Sequence, residues 1–572
     1  MNRLIIGISA LFLLLNIYSC NSVMAGENDG GAFEYRDVYL PDYTKDDNAS
    51  LKLDHIDEAW GIWGHNLPDI LPDNPSKQIY AREGGGYNHD QFCFSNTQLF
   101  NYISDYIHGN YLLTDSVRFA ILPNDNSIVC LCSECVNLGN TKGDASPAVV
   151  NMITRLSEKF PQHKFFTSHY STTSALPKEK LPENAGVIIS AIDYPLTLSE
   201  TPEEKNFLDL IEQWKEKTDR IYVWDYVSNF DDYFTPYPVF SVMQRRLQNY
   251  RDAGVTGVFL NGSGDDYTSL GALKKSVLAD LLYDPDADWR ELVRAYADEN
   301  YPEAGADIVD FIFLQENAVS QNGVTLPMYE GVVKAIDTYL PEKEFIDFYN
   351  KLVEHKRNAA DGEKEELETL TDAMAFTMLE LKRINCDIDN ADKLRERLGR
   401  LAGMDINYYS EGCWSVSQYL DEYKLMDEEA KATENSNLLK GVKLEPLVPL
   451  DEDYTDITIV TDGLLGIPSN YHNGNLIMSS DPEMKIRIPR VGQMSKLKVW
   501  MVYNPGFKIG LPEEVYITAG GLKQKSQIPT HPIGSSEHSV LEFNIPEEGE
   551  IVLHLWKSPD YKTMAIDEIQ AF

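Results

Sequence analysis

Three thiols and a carboxylate fall within six residues at Cys130-Leu131-Cys132-Ser133-Glu134-Cys135, a short step after Asn124-Asp125. Thiolates are disulfide partners and soft metal ligands. Cysteines this close in sequence rarely reach disulfide geometry, which needs Cα atoms about 4.4–6.8 Å apart with facing Cβ vectors. Cys93, at the end of an earlier extended run, offers a fourth sulfur. Three states stand open for Cys93, Cys130, Cys132 and Cys135: a structural four-thiolate zinc site, two disulfides clamping neighbouring loops in an oxidising compartment, or free thiols. Four soft ligands close a coordination sphere, so a catalytic metal is not expected. No HExxH, GxSxG or Walker pattern occurs, and no cofactor is required by any motif present.

A second group is more scattered. His65, Asp125, Glu134, His169, Tyr170, Asp193, Trp224, Asp225, Tyr226 and Asn261 each stand at or just beyond the end of a predicted strand. Aromatic faces stack on sugar rings, and carboxylates act as acid, base or polarising group on a glycosidic bond. A strand-end Asp alone is more often a cap or loop anchor, and Trp224 alone is ordinary core. Their concentration at one set of strand ends is what points to carbohydrate.

That grouping depends on the elements beneath it. Extended runs at Phe33–Leu40, Ala59–His65, Gln91–Ser95, Val117–Pro123, Lys164–Tyr170, Gly186–Asp193, Arg220–Tyr226 and Val255–Asn261 alternate with helical patterns such as Pro147–Phe160, Phe207–Thr218 and Val239–Ala253. Eight strands with intervening helices predict an α/β fold, a (β/α)8 barrel over residues 33–285 whose chemistry lies at the C-terminal strand ends. From 286 to 440 the pattern is helical, with amphipathic stretches at Trp289–Asn300, Ala306–Val319 and Glu363–Ile384. The acidic run Glu363–Glu368 reads as surface. Residues 445–572 carry short alternating strands after Pro446 and Pro449, the pattern of a β-sandwich.

Residues 1–25 read as a leader rather than fold. Arg3 precedes the apolar run Leu4–Leu15, which is too short to span a bilayer. Ser19-Cys20 fits a lipobox with Cys20 as the lipidated residue, while Val23-Met24-Ala25 fits ordinary signal cleavage; lipidation is the favoured reading. The expectation is an exported lipoprotein of the outer membrane, touching the bilayer only through its anchor. The 90 acidic against 50 basic residues give a net charge of −40. Such a field repels nucleic acid and anionic membrane surfaces, and leaves a neutral glycan or glycoprotein as the expected partner.

Several of these stretches together resemble a known family. Trp60-Gly61-Ile62-Trp63-Gly64-His65-Asn66, Gln91-Phe92-Cys93-Phe94-Ser95, Asn124-Asp125 with the CxCxxC, Val223-Trp224-Asp225-Tyr226, Pro236-Tyr237-Pro238, Gly254–Phe259 and Leu282-Tyr283-Asp284-Pro285 are similar to the bacterial domain of unknown function 4838, part of which is glycoside hydrolase family 163. Thr461–Gly466, Asn473-Gly474 and Ile566–Ile569 resemble a galactose-binding-like, discoidin-type domain. The first resemblance implies an endo-β-N-acetylglucosaminidase acting on complex N-glycans, with the 2-acetamido oxygen of the substrate as nucleophile. Glu134 is then the expected general acid, Asp125 the group that orients the acetamido, and Tyr226 a hydrogen-bond donor to it. The rival reading is a non-catalytic surface lipoprotein that only captures glycan.

Overall fold

The computed structural model describes residues 30–572 apart from 42–49, 84, 113, 385–387, 473–475 and 532–535, so Cys20 and Asn473-Gly474 lie outside the described residues. Seven parallel strands form the central sheet: β1 (Tyr35–Tyr39), β2 (Trp60–Ile62), β5 (Arg118–Ala120), β6 (Lys164–His169), β7 (Ala185–Ser190), β8 (Ile221–Tyr226) and β9 (Gly257–Asn261). Their order is β1-β9-β8-β7-β6-β5-β2. The two edges curl toward each other, with the Tyr35 and Trp60 rings 5.6 Å apart edge-to-face. The outcome is a half-barrel of seven strands, rather than the eight expected.

The difference lies at the predicted third strand. Gln91 and Phe92 finish β4 (Gly86–Phe92), which pairs antiparallel with β3 (Tyr80–Glu83) in a separate two-stranded hairpin. The chain then turns at once into a helix, α1 (Thr97–Asn110), whose first amides Gln98 and Leu99 donate to the Asn96 side chain. A strong N-cap three residues past Cys93 leaves no length for a further sheet strand. With that strand gone, β2 pairs directly with β5.

Helices α2 (Ser133–Leu138), α3 (Ser146–Lys159), α4 (Pro202–Lys215), α5 (Phe240–Ala253) and α6 (Gly271–Tyr283) follow the strands. On α3, Val149, Met152, Ile153 and Leu156 recur at helical spacing and are all buried, so this face seats the helix on the sheet. Among the described residues, seven more helices follow, from α7 (Trp289–Asn300), α8 (Gly305–Asn322), α9 (Gly331–Thr338) and α10 (Glu342–His355) to α11 (Asp361–Arg383), α12 (Ala391–Gly399) and α13 (Val416–Thr433). They share one apolar core with the outer faces of β7, β8 and β9. Glu363 is buried rather than on the surface, accepting from the Glu303 and Ala304 amides just ahead of α8.

The last part has two antiparallel sheets, of five and four strands. Inward residues of both, including Ile486, Ile517 and Leu553 from one and Val499, Leu541 and Ile566 from the other, meet in a core of their own. Glu422 on α13 accepts from the Ser469 hydroxyl, and Lys498 pairs with Glu429 at 2.6 Å, so this sandwich is fastened to the helical block. Among the described residues, no helix is long and apolar enough to cross a membrane.

Candidate functional site at the strand ends

Side chains alternate along a strand, and on the curled sheet one set fills the interior. Along β8 these are Tyr222, Trp224 and Tyr226. Tyr222 stacks on Tyr35 with centroids 5.4 Å apart. Above it, Trp224 stacks on Trp63 at 5.0 Å and meets Phe259 edge-on at 4.8 Å. Glycine at 257 makes this packing fit, because a Cβ there would stand 2.7 Å from the Tyr222 ring. The interior is thus an aromatic plug whose top layer carries the site.

At that top, the Tyr170 phenol is pushed up by burial first, then by the nearby Asp125 and Asp193. The His65 ring lies 6.4 Å from the Tyr170 ring and bonds the Pro123 carbonyl through Nδ1 at 2.6 Å. Tyr226 lies 3.3 Å from the Ser190 hydroxyl and stands opposite Asn261 in the β8–β9 register. A hollow of about 520 Å³ opens beside Tyr170, lined also by His169, Ser190, Asp193 and Phe207. Small-molecule sites run to ~300–1,000 Å³.

The loop that carries Asp125 is held from the hairpin. Buried Gln91 donates to the Asn124 carbonyl at 3.0 Å and accepts from the Asn124 amide at 3.1 Å, while Asn124 and Asn126 both donate to the Asp90 carbonyl. A family model for the domain of unknown function DUF4838 matches residues 21–312, just over half the 572-residue chain. The protein belongs to that family. In this DUF4838 chain, two of the stretches that carried the resemblance, Gln91–Ser95 and Asn124-Asp125, are thus hydrogen-bonded to each other.

No curated protein matches the chain. Among solved structures, the Streptococcus pneumoniae beta-galactosidase BgaA is 16% identical over 20% of this chain and 83% of its own, with a TM-score of 0.16. A putative alpha-L-fucosidase from Bacteroides thetaiotaomicron is 12% identical over 68% and 84%, with a TM-score of 0.16. A mutant Ruminococcus gnavus family 29 fucosidase in complex with fucose is 12% identical over 96% and 97%, at 0.15. These weak neighbours are glycoside hydrolases; at such TM-scores the likeness supports no argument about this DUF4838 protein.

Not every expected residue joins the rim. Asp225 points away from the interior, is fully buried, and is bound by Arg246 at 2.5 Å and by the Tyr250 hydroxyl at 2.6 Å on α5. It fastens a helix to the sheet and presents nothing to a glycan. His169 also turns outward, accepting from Trp214 of α4 at 3.3 Å, although its edge still lines the hollow; burial lowers its pKa, favouring the neutral ring. Glu134 lines a second hollow of about 730 Å³ with Tyr80, Arg82, Tyr87 and Cys132. It is exposed in the first turn of α2, and the Ser133 hydroxyl at 2.8 Å, followed by its own amide, holds its carboxyl below the usual range.

Other groups reach the rim from the helical block. Tyr329, ahead of α9, packs its ring against Phe230 and is pushed up to about 12 by burial, then by Glu411, Asp231, Tyr170 and Asp125. Glu411, between α12 and α13, is reached by solvent yet walled in; that enclosure raises its pKa, and Asp231 raises it further. Asp231 is itself tied to His472 of the sandwich at 2.8 Å and to the Glu330 amide at 2.7 Å. No motif announced Tyr329 or Glu411, and only tertiary folding sets the two near each other and near Asp231.

Proposed function

We propose that the protein is an exported glycoside hydrolase cleaving N-acetylglucosamine-containing glycans of the complex N-glycan type. The observation that supports this most is the rim group itself. Asp125, a solvent-facing carboxyl, and Glu411, a carboxyl whose pKa is raised by burial and then by Asp231, both push up the Tyr329 phenol. Glycoside hydrolysis needs two carboxyl groups of unlike character, one ready to give a proton and one ionised.

In this reading Asp125 and Tyr226 position the 2-acetamido group. Its oxygen attacks the anomeric carbon as the bond to the leaving oxygen breaks, and Glu411 gives its proton to that oxygen. Water then attacks the anomeric carbon, the acetamido is restored, and the proton returns to Glu411. Glu411 takes the acid role expected of Glu134 because a general acid needs a carboxyl held protonated, and the surroundings of Glu134 favour the ionised form. His65, Asp193, Trp224 and Asn261 would contact the sugar. The leader with Cys20 would place the protein outside the cytoplasm on a lipid anchor.

The test is a glycan-release assay on N-glycoproteins, with products read by mass. Release by the wild type and its loss in Asp125→Asn and Glu411→Gln support the proposal. Glycan binding with no release by the wild type would sink it in favour of simple capture.

A further inference from the structure

We infer that Cys93, Cys130, Cys132 and Cys135 bind one zinc-type divalent cation as a closed four-thiolate structural site. All four sulfurs lie within 4.8 Å of one another. Cys93 Sγ stands 3.6 Å from that of Cys132 and 3.7 Å from that of Cys135. Four sulfurs at about 2.3 Å around a tetrahedral zinc ion are about 3.8 Å apart, so the thiols already sit near the corners that the ion requires. Cys93 is about equally close to two partners, an arrangement that suits a shared central ion better than exclusive pairs. All four are free thiols.

The surroundings match the charge such a site carries. The Arg82 amide donates to Cys130 Sγ at 3.3 Å, and the Cys135 amide to Cys132 Sγ at 3.4 Å. Backbone N–H groups aimed at sulfur stabilise thiolates and fix their orientation. Three of the four cysteines are buried, and an all-sulfur shell selects a soft ion over magnesium or calcium. On binding, the thiols release their protons to solvent as the sulfurs take the metal. The ligands come from both sides of a junction: Cys93 closes the hairpin, Cys130 and Cys132 lie on the loop that leads from Asp125 into α2, and Cys135 lies in the first turn of α2 itself. The ion would therefore hold the downstream end of the loop whose upstream end Gln91 clamps.

The proposal is independent of the glycosidase reading and is tested without an activity assay. Elemental analysis of the purified full chain should give about one zinc per chain. The four thiols should resist a thiol reagent until a chelator is added, and cobalt exchange should give the intense visible bands of a tetrahedral thiolate complex. Cys93→Ser and Cys135→Ser should lose the metal, while Cys413→Ser, at an exposed thiol outside the cluster, should keep it. If the cluster variants do not fold, the wild-type metal count and cobalt spectrum decide alone. Four reactive thiols without metal, or a mass showing two disulfides, would overturn the inference.

Discussion

Glu134 and Glu411 are the same side chain, both open to solvent, in two opposite settings. Glu134 stands at the start of a helix, where the Ser133 hydroxyl donates to it, and its pKa falls. Glu411 is walled in beside another carboxylate, and its pKa rises. Exposure therefore does not decide whether a carboxyl can deliver a proton; the donors and charges that face it do.

The largest expected effect follows from that contrast. Glu411→Gln should lower glycan release ~10²–10⁴-fold, the range for loss of a general acid. A variant with wild-type turnover would remove Glu411 from the mechanism.

Asp225 gives the next largest effect, and on a different observable. Asp225→Asn leaves the Arg246 guanidinium buried beside a neutral group, and breaking such a pair costs about 3–5 kcal/mol. Denaturant unfolding should show that loss, while the folded protein keeps its KM. A raised KM at unchanged stability would return Asp225 to the rim.

A smaller effect concerns pH. A raised pKa keeps Glu411 protonated to higher pH, so release should decline as pH rises through that value. Asp231→Asn removes the like charge that helps raise it. The alkaline limb of the rate profile should then move to lower pH, by at most about one unit. A shift in the opposite direction would break the assigned link between the two carboxyls. The smallest effect is expected of Glu134→Gln, which should stay within about twofold of wild type, as a surface change away from the reacting atoms. A loss comparable to that of Glu411→Gln would reverse the comparison.

Most of the half-barrel was legible because its strands are β-branched and aromatic runs. Each of the seven falls inside, or within a residue of, a predicted segment. The third segment misled because a five-residue run with only Phe92, Cys93 and Phe94 apolar is as compatible with a hairpin arm as with a sheet strand, and the Asn96 cap that ends it is a local signal. The cysteine group was legible because three of its members are nearly adjacent. Alternation could have removed Asp225 and His169 from the rim, since a strand that sends Trp224 and Tyr226 inward sends Asp225 out, and Tyr170 does the same to His169. Glu411 and Tyr329 had no such signal. They belong to connections in the helical block, and nothing local records which strand ends those connections overhang.

The pairing of β1 with β9 also sets a timetable for folding. Tyr35 finds its partner only at Gly257, on the last of the sheet's strands in chain order. Until that stretch has been made and delivered, the first strand has neither its neighbour nor the Phe259 ring that packs against Tyr39 and Trp224. Contacts this distant in sequence form late and slowly. A nascent chain halted before Gly257 would hold an exposed aromatic edge, the kind of surface that holding chaperones bind and that aggregates when they do not.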